Sequence, residues 1–290
     1  MNSVSGVRPS APVVTAVIPC FNQGRFLRTC LASLEAQTET RWRAIIVDDA
    51  STDGETPALC DAEINDRVDV LHLWQNQGRA LARNAGIAQA TTEAVFNLDA
   101  DDAVAPELFA RMVPQLDVPE VGMVYCDMQY FGDRTGRWRA RPFSLRRLYR
   151  QQYIIGASLF RRSAWKMCGG YHGDFTIGNE DWDLWLRIAE LGYVGVWVPA
   201  PLYRYRMHAA SWTAGNDGRD DRVFRSRLAL LQHHRGGFSA QDATAAFLAD
   251  THAAEARRLA KRGDSEGARH HWQQVAQQRP WDWLARWRGR

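Results

Sequence analysis

A chain of 290 residues, 46% hydrophobic and 24% charged, has the balance of an ordinary soluble globular protein and room for one large domain, or one domain with a helical appendage. Its net charge of +3 is too small to point to nucleic acid, and no nucleic-acid partner is expected. Five scattered cysteines without a Cys-x-x-Cys pair argue against a disulfide framework or a structural zinc site and fit a reducing cytoplasm.

Residues 1–12 are polar and small, and read as a flexible N-terminus without an apolar signal core. No apolar run approaches the ~20 residues of a membrane span. The expected location is therefore the cytoplasm, free or peripheral at the inner face of the membrane. Val13 to Pro19 reads as a buried strand, stopped by Pro19 and followed by the turn Asn22-Gln23-Gly24. Phe26, Leu27, Cys30, Leu31 and Leu34 then recur at helical spacing. Ala44 to Val47 is a second buried strand ending in Asp48-Asp49, and Ser51-Thr52-Asp53-Gly54 is a loop with capping residues. A short helix and a third strand, Val68 to Trp74, lead to Asn76-Gln77-Gly78 and an Ala-rich helix from Arg79 to Gln89. The fourth strand, Thr92 to Phe96, runs into Asn97-Leu98-Asp99-Ala100-Asp101-Asp102.

Three carboxylates crowd into four positions there. Uncompensated like charges this close are unfavourable, and oxygen ligands suit Mg²⁺ or Mn²⁺, which also bind phosphate oxygens. The same stretch also reads as a solvated loop with a helix N-cap, since Asp102 lies just before Pro106-Glu107. Strand–helix alternation predicts a mainly parallel sheet covered by helices, with ligands bound beyond the carboxyl ends of the strands. Asp48-Asp49, Asn76-Gln77-Gly78 and Asp99-Ala100-Asp101 all fall at such ends. The absence of Gly-x-Gly-x-x-Gly after the first strand argues against a nicotinamide or flavin oxidoreductase. The absence of a Gly-x-x-x-x-Gly-Lys-Ser/Thr loop argues against a nucleotide triphosphatase.

Met123 to Met128 and Ile154 to Phe160 read as further strands. Between them, Arg137 to Arg150 is basic with interleaved Trp138, Phe143 and Tyr149. It suits acceptor or phosphate contact, but a solvated loop and helix face is preferred. Glu180-Asp181 precedes the helical apolar pattern of Trp182, Leu184, Trp185 and Ile188, where carboxylates also serve as capping groups. His208 follows a strand from Leu202 to Met207. From Gly215 the composition changes. Asp221 to His234 reads as one helix, and Ala243 to Arg262 and Ser265 to Gln278 read as a hairpin resembling one unit of a helical repeat. The tail from Pro280 to Arg290 sets Trp281, Trp283 and Trp287 among arginines, which suits either a membrane interface or a final helix packed on the hairpin.

Together, Val17-Ile18-Pro19-Cys20-Phe21-Asn22, Val47-Asp48-Asp49-Ala50-Ser51-Thr52-Asp53-Gly54, Asn76-Gln77-Gly78-Arg79-Ala80-Leu81-Ala82-Arg83-Asn84-Ala85-Gly86 and Leu98-Asp99-Ala100-Asp101-Asp102 resemble the family 2 glycosyltransferases of GT-A fold in order and spacing. The resemblance continues through Gly169-Gly170-Tyr171, Gly178 to Arg187 and Tyr203 to His208, and covers residues 13 to about 212. It implies a GT-A domain over 13–214, a mainly parallel mixed sheet covered by helices, with a C-terminal helical region over 215–290. It implies inverting transfer of a sugar from a nucleotide-diphospho-sugar, UDP-linked by expectation, to an acceptor hydroxyl. Assembly of bacterial surface or secreted polysaccharide is the expected setting. Pro19, Phe21, Asn22, Asp48, Asp49, Asn76, Gly78, Arg83, Asp99 and Ala100 are implied to contact the nucleotide-sugar. For Arg83 an exposed helix arginine is an equal alternative. Asp99, Asp101, Asp102 and His208 are implied to hold a divalent cation, Mn²⁺ or Mg²⁺. Asp181, with Glu180 as runner-up, is the implied general base. The acceptor is a saccharide, lipid-linked or polypeptide group, and a non-catalytic nucleotide-sugar-binding protein is the rival from another class.

Overall fold

The computed structural model describes residues 11–175, 178–208 and 221–279, with 281 and 288. The N-terminal half alternates as expected: β1 (Val14–Cys20), α1 (Gly24–Glu35), β2 (Trp42–Asp48), α2 (Thr56–Asp61), β3 (Val68–His72), α3 (Arg79–Gln89) and β4 (Ala94–Asn97). After the acidic loop come β5 (Ala103–Val104), α4 (Leu108–Met112), β6 (Val121–Gly132), β7 (Gly136–Trp138), α5 (Leu145–Leu148), β8 (Leu159–Arg161), α6 (Arg162–Met167), α7 (Glu180–Glu190) and β9 (Val194–Met207). The C-terminal helices are α8 (Arg222–His233), α9 (Arg235–Ala240), α10 (Thr244–Lys261) and α11 (Ser265–Gln278).

Among the described residues the strands make one sheet in the order β3-β2-β1-β4-β8-β6-β9-β5, with β7 paired to the far half of β6. β1 to β4 run parallel, and β8 enters antiparallel to β4. Strand order reverses between β1 and β4, which is where an open parallel sheet leaves a crevice for ligand. The strands are apolar on both faces because both faces are covered. Ile18, Ile46 and Phe96 point into one core with Leu27 and Leu31 of α1. Their neighbours Val17, Val47 and Val95 point into a second core with Ile87 of α3 and Trp185 of α7. The period of two along each strand thus feeds two layers of helix.

The expected strand from Ile154 to Phe160 forms only from Leu159. Upstream, the Ser158 hydroxyl donates to the Ile155 carbonyl at 2.6 Å and the Ser158 N–H to the Gly156 carbonyl at 3.0 Å. Such local bonds compete with a sheet ladder, and they turn Gly156 toward Asp181 of α7. The helix expected to end at His234 is followed at once by a second, short one, α9. Leu230, Phe238 and Phe247 of the C-terminal helices share the second core with Trp182 and Tyr149. The helical hairpin has its own small core, in which Ala253 and Ala256 meet Trp272 and Val275. The junction at 209–220 and most of residues 1–12 and 280–290 lie outside the described residues. Of the tail, Trp281 is exposed and the Arg288 guanidinium sits 5.0 Å from the Trp272 ring centroid.

Helix α3 reaches the sheet through Gly86. A Cβ there would stand 2.5 Å from Val17 Cγ1 and 2.8 Å from Val47 Cγ2. Gly86→Ala gains ~1 kcal/mol of helix propensity but overpacks the contact by ~1–3 kcal/mol. The expected net result is a lower urea midpoint, and a raised midpoint would show that α3 has room to move outward.

Candidate active site

Four chain segments converge at the carboxyl ends of β1, β2 and β4. The acidic loop is fixed first. Asp102 is buried and turned inward, its Oδ1 accepting from the Arg206 N–H at 2.6 Å and its Oδ2 from the Tyr203 hydroxyl. Burial, and then the charges of Asp101 and Asp99, push its carboxyl pKa well up. The short β5 sews the loop to β9 through Ala103↔Arg204 and Val104↔Tyr203. Asp102 is therefore an anchor of the loop, with both of its oxygens held by β9.

Asp101 behaves differently. Its Oδ2 lies 3.0 Å from His208 Nε2 and accepts from Gln23 Nε2 at 3.2 Å. Burial and then the Asp99 charge raise its pKa. The His208 ring is 5.0 Å from that of Phe26. An oxygen pair with an adjacent imidazole suits a hard or borderline divalent cation that shares phosphate oxygens. Asp101 and His208 form such an oxygen–nitrogen pair, and Asp99 lies two residues earlier in the same loop, while both Asp102 oxygens are engaged by Tyr203 and Arg206. Among the described residues, three ligand atoms come within 4.8 Å of one another only at His172, Asp183 and His233. There Asp183 Oδ2 accepts from Arg187 Nε at 2.9 Å, and Oδ1 lies 3.0 Å from His234 Nε2. Asp183 already ties α7 to its neighbours, which makes that cluster a packing network.

Arg83 is buried, at 2% exposed, which overturns the exposed-arginine reading. Its guanidinium donates to Asp99 Oδ1 at 2.6 Å and to Glu180 Oε1 at 3.1 Å, so it joins the acidic loop to the start of α7. Arg79, one helical turn earlier, donates its Nε to the same Glu180 oxygen at 2.8 Å. Burial alone would raise the Asp99 pKa, but the Arg83 and Arg79 charges hold it below the ordinary carboxylate range. Glu180 is thus spent on two arginines, a poor state for a general base. The Tyr171 ring lies 5.8 Å from the Arg83 guanidinium, with its N–H held by Asn84 Oδ1 at 2.8 Å. A Cβ on Gly170 would stand 2.8 Å from that oxygen, so the Gly-Gly-Tyr motif packs the arginine in place.

At the other end, Asp48 caps its own loop through Ser51 N–H at 3.0 Å and meets His72 Nδ1 at 2.8 Å. Asp49 accepts from the N–H groups of Gln77 and Gly78, both at 2.8 Å, and its carbonyl accepts from Asn76 Nδ2. Asn22 Oδ1 accepts from Thr52 N–H at 2.7 Å. These residues knit three strand ends into one rim. Gly78 is the N-cap of α3 at φ +84°, a conformation that favours glycine.

Two cavities open on this rim. One, about 260 Å³, is lined by Pro19, Phe21, Asp49, Asp99 and Asp101. The other, about 340 Å³, is lined by Trp138, Gln152, Glu180, Asp181 and Tyr203. Arg79, Asp99 and Tyr205 line both, so the cavities meet there. Ala100 is buried and lines neither. In the second cavity Asp181 Oδ2 accepts from Gln152 Nε2 at 2.8 Å, and Oδ1 from the Trp182 N–H at 2.8 Å. Burial, and then the Glu180 charge, push its pKa up to about 7, against the pull of Arg79 and Arg83. Sequence reasoning gave no role to Arg79, Gln152 or Tyr205. Arg79 was signalled by its i, i+4 relation to Arg83, and Tyr205 by strand alternation with Tyr203. Gln152 carried no local signal.

A curled, mainly parallel sheet of this kind is the GT-A fold. The model of glycosyl transferase family 2 matches residues 15–183, and the chain belongs to that family. It is 29% identical over 238 residues to the O-antigen biosynthesis protein RfbC of Myxococcus xanthus, covering 79% of this chain and 19% of that protein. It is 37% identical over 106 residues to the succinoglycan biosynthesis protein ExoO of Rhizobium meliloti, covering 37% of this chain and 30% of that protein. The chain thus spans well under half the length of these two relatives. Among solved structures it resembles the mannosyltransferase PcManGT of Pyrobaculum calidifontis, in complex with GDP-Man and Mn²⁺, with a TM-score of 0.62 at 21% identity over 92% of this chain and 76% of that one. It also resembles S. aureus TarS 1–349 in complex with UDP-GlcNAc, with a TM-score of 0.57 at 16% identity over 92% of each chain. At these identities the likeness concerns the fold.

Replacing Arg83 with Met leaves Asp99 and Glu180 without their shared partner, and stranding a buried charge costs ~3–5 kcal/mol. Because Arg79 still meets Glu180, the expected loss is at the low end, ~3 kcal/mol. Arg83→Lys should recover only part of it, since one ammonium cannot span two carboxylates as a guanidinium fork does. Urea unfolding of both variants checks this, and an unchanged midpoint in Arg83→Met would contradict it.

Proposed function

We propose that the chain is an inverting, divalent-metal-dependent glycosyltransferase that moves a sugar from a nucleotide-diphospho-sugar to an acceptor hydroxyl. The observation that supports it best is the junction of two cavities at Arg79, Asp99 and Tyr205, with the acidic loop on one side and Asp181 on the other. The first cavity takes the nucleotide diphosphate against Pro19, Phe21 and the rim of Asp48, Asp49, Asn76 and Gly78. UDP-sugars are the first donors to test; solved neighbours of the fold carry UDP-GlcNAc and GDP-Man. The second cavity takes the acceptor, a saccharide or lipid-linked group. O-antigen and succinoglycan biosynthesis in the names of relatives support assembly of a bacterial surface or secreted polysaccharide.

Asp101, His208 and Asp99 would hold the cation, which when bound offsets charge developing on the leaving diphosphate. Arg79 adds a fixed positive charge at the junction. Arg83 keeps Asp99 ionised and aims it. Asp181 accepts the acceptor hydroxyl proton as that oxygen attacks the anomeric carbon from the face opposite the diphosphate. Its oxygens are positioned by Gln152 and the first turn of α7, and Gly156 leaves room for them. A Cβ on Gly156 would stand 3.0 Å from Asp181 Oδ2.

EDTA should abolish transfer and Mn²⁺ or Mg²⁺ should restore it. Asp101→Asn should weaken metal and donor binding together, whereas full turnover in chelator would sink the metal reading.

Asp181→Asn should leave donor affinity nearly unchanged and lower turnover by ~10²–10⁴-fold. The wild-type rate should rise as pH passes about 7, because the base works ionised and its pKa is raised to about that value. Stability should move the opposite way. A raised carboxyl pKa makes folding less favourable as pH climbs from the unfolded value of ~4 to about 7, a loss that Asp181→Asn should remove. Wild-type turnover in Asp181→Asn would end the assignment.

A further inference from the structure

Arginines from distant parts of the chain meet in space, Arg150 among them from the basic run Arg137 to Arg150. Arg150 from the loop after α5, Arg227 from α8, Arg257 from α10 and Arg279 just past α11 line one cavity of about 450 Å³. A second hollow of about 340 Å³ shares Arg150, Gln151 and Asp250 with it and adds Arg146 and Arg147. The floor of the first is apolar, made by Ala253, Trp272 and Val275.

Positive charge here is poorly balanced. Asp250 is the only acid lining either hollow among the described residues, and Arg279 already engages it at 2.9 Å. Arg146 has the exposed Asp242 at 3.8 Å. No carboxylate among the described residues pairs with Arg150, Arg227 or Arg257. The Arg227 guanidinium lies 5.6 Å from the Trp182 ring centroid and 5.5 Å from that of Phe247, contacts that fix its place without neutralising it. Burial lowers its pKa, Asp250 opposes that, and Arg257 adds to it. Basic runs usually splay into solvent one by one. These residues instead come from four separate elements onto one concave surface. Planar guanidinium forks match phosphate oxygens, and an apolar floor suits the organic group a phosphate ester carries.

We propose that this cavity binds a phosphate-bearing ligand through Arg150, Arg227 and Arg257. It is separate from the nucleotide rim. Gln151 lines it, while the next residue, Gln152, donates to Asp181, so the segment 150–153 is a wall shared with the acceptor-side cavity. Phosphate held here would lie behind the proposed base, where the anionic part of a larger acceptor could rest. The site itself requires no nucleotide and stands apart from the transfer reading.

The test is calorimetric titration of the full chain with inorganic pyrophosphate in EDTA, which silences any metal-held diphosphate site. Alongside it, the protein is sedimented with phosphatidylcholine vesicles with and without phosphatidic acid. Arg150 and Arg257 are exposed, so Arg150→Ala/Arg257→Ala should fold normally, with an unchanged melting temperature and unchanged binding of UDP with Mn²⁺. Saturable pyrophosphate binding that this variant weakens at least tenfold supports the site. If the variant also loses binding to phosphatidic acid vesicles, the phosphate belongs to a lipid; if only pyrophosphate binds, it belongs to a soluble ester. Equal binding by variant and wild type, or no binding of either probe by wild type, overturns the proposal. Failure to bind UDP with Mn²⁺ would count against the transfer reading alone.

Discussion

One guanidinium sits between two carboxylates that the chain supplies from opposite ends of its core. Arg83 on α3 reaches Asp99 after β4 and Glu180 at the start of α7, with only 2% of its surface exposed. A charge so placed is tolerated only when its partners are aligned, because taking it out of water costs several kcal/mol. Gly86 lets α3 lie against Val17 and Val47, and Asn84 and Tyr171 pack around the arginine. If α3 moved outward, the acidic loop and α7 would lose their common reference point. The proposed donor and acceptor cavities meet beside that point.

The carboxylates around the rim divide their work by environment. Asp102, Asp183 and Glu180 are spent on the protein itself, on Tyr203 and Arg206, on Arg187 and His234, and on the two arginines of α3. Asp101 and Asp181 keep contact with a cavity, and burial and like charge push both pKa values up. At Asp181, burial and the neighbouring Glu180 charge raise the carboxyl to about 7, the range a general base uses at neutral pH. Carboxylates in one short motif thus differ in what each side chain faces.

The strand ends and the rim were legible because their signals are local. Runs of β-branched residues made β1 and β2, and Asn-Gln-Gly preceded α3. The burial of Arg83 was not, since it depends on a partner 97 residues away. The inward turn of Asp102 depends on β9, a strand that joins the loop only through tertiary pairing. Ile154 to Ser158 has strand composition, yet Ser158 and Gly156 bond locally and turn the chain toward α7. The basic run Arg137 to Arg150 reads as a solvated face, and only the packing of the C-terminal helices brings Arg150 to one cavity with Arg227 and Arg257.

The central claim is a single displacement, with the base on one side of the junction and the leaving diphosphate on the other. The most direct measurement is the anomeric configuration of the product, read by proton NMR during the first turnovers on an α-linked nucleotide-sugar. The account predicts a β-glycoside. An α-glycoside formed from that donor would contradict it, because retention requires a geometry other than Asp181 facing the departing diphosphate across the sugar.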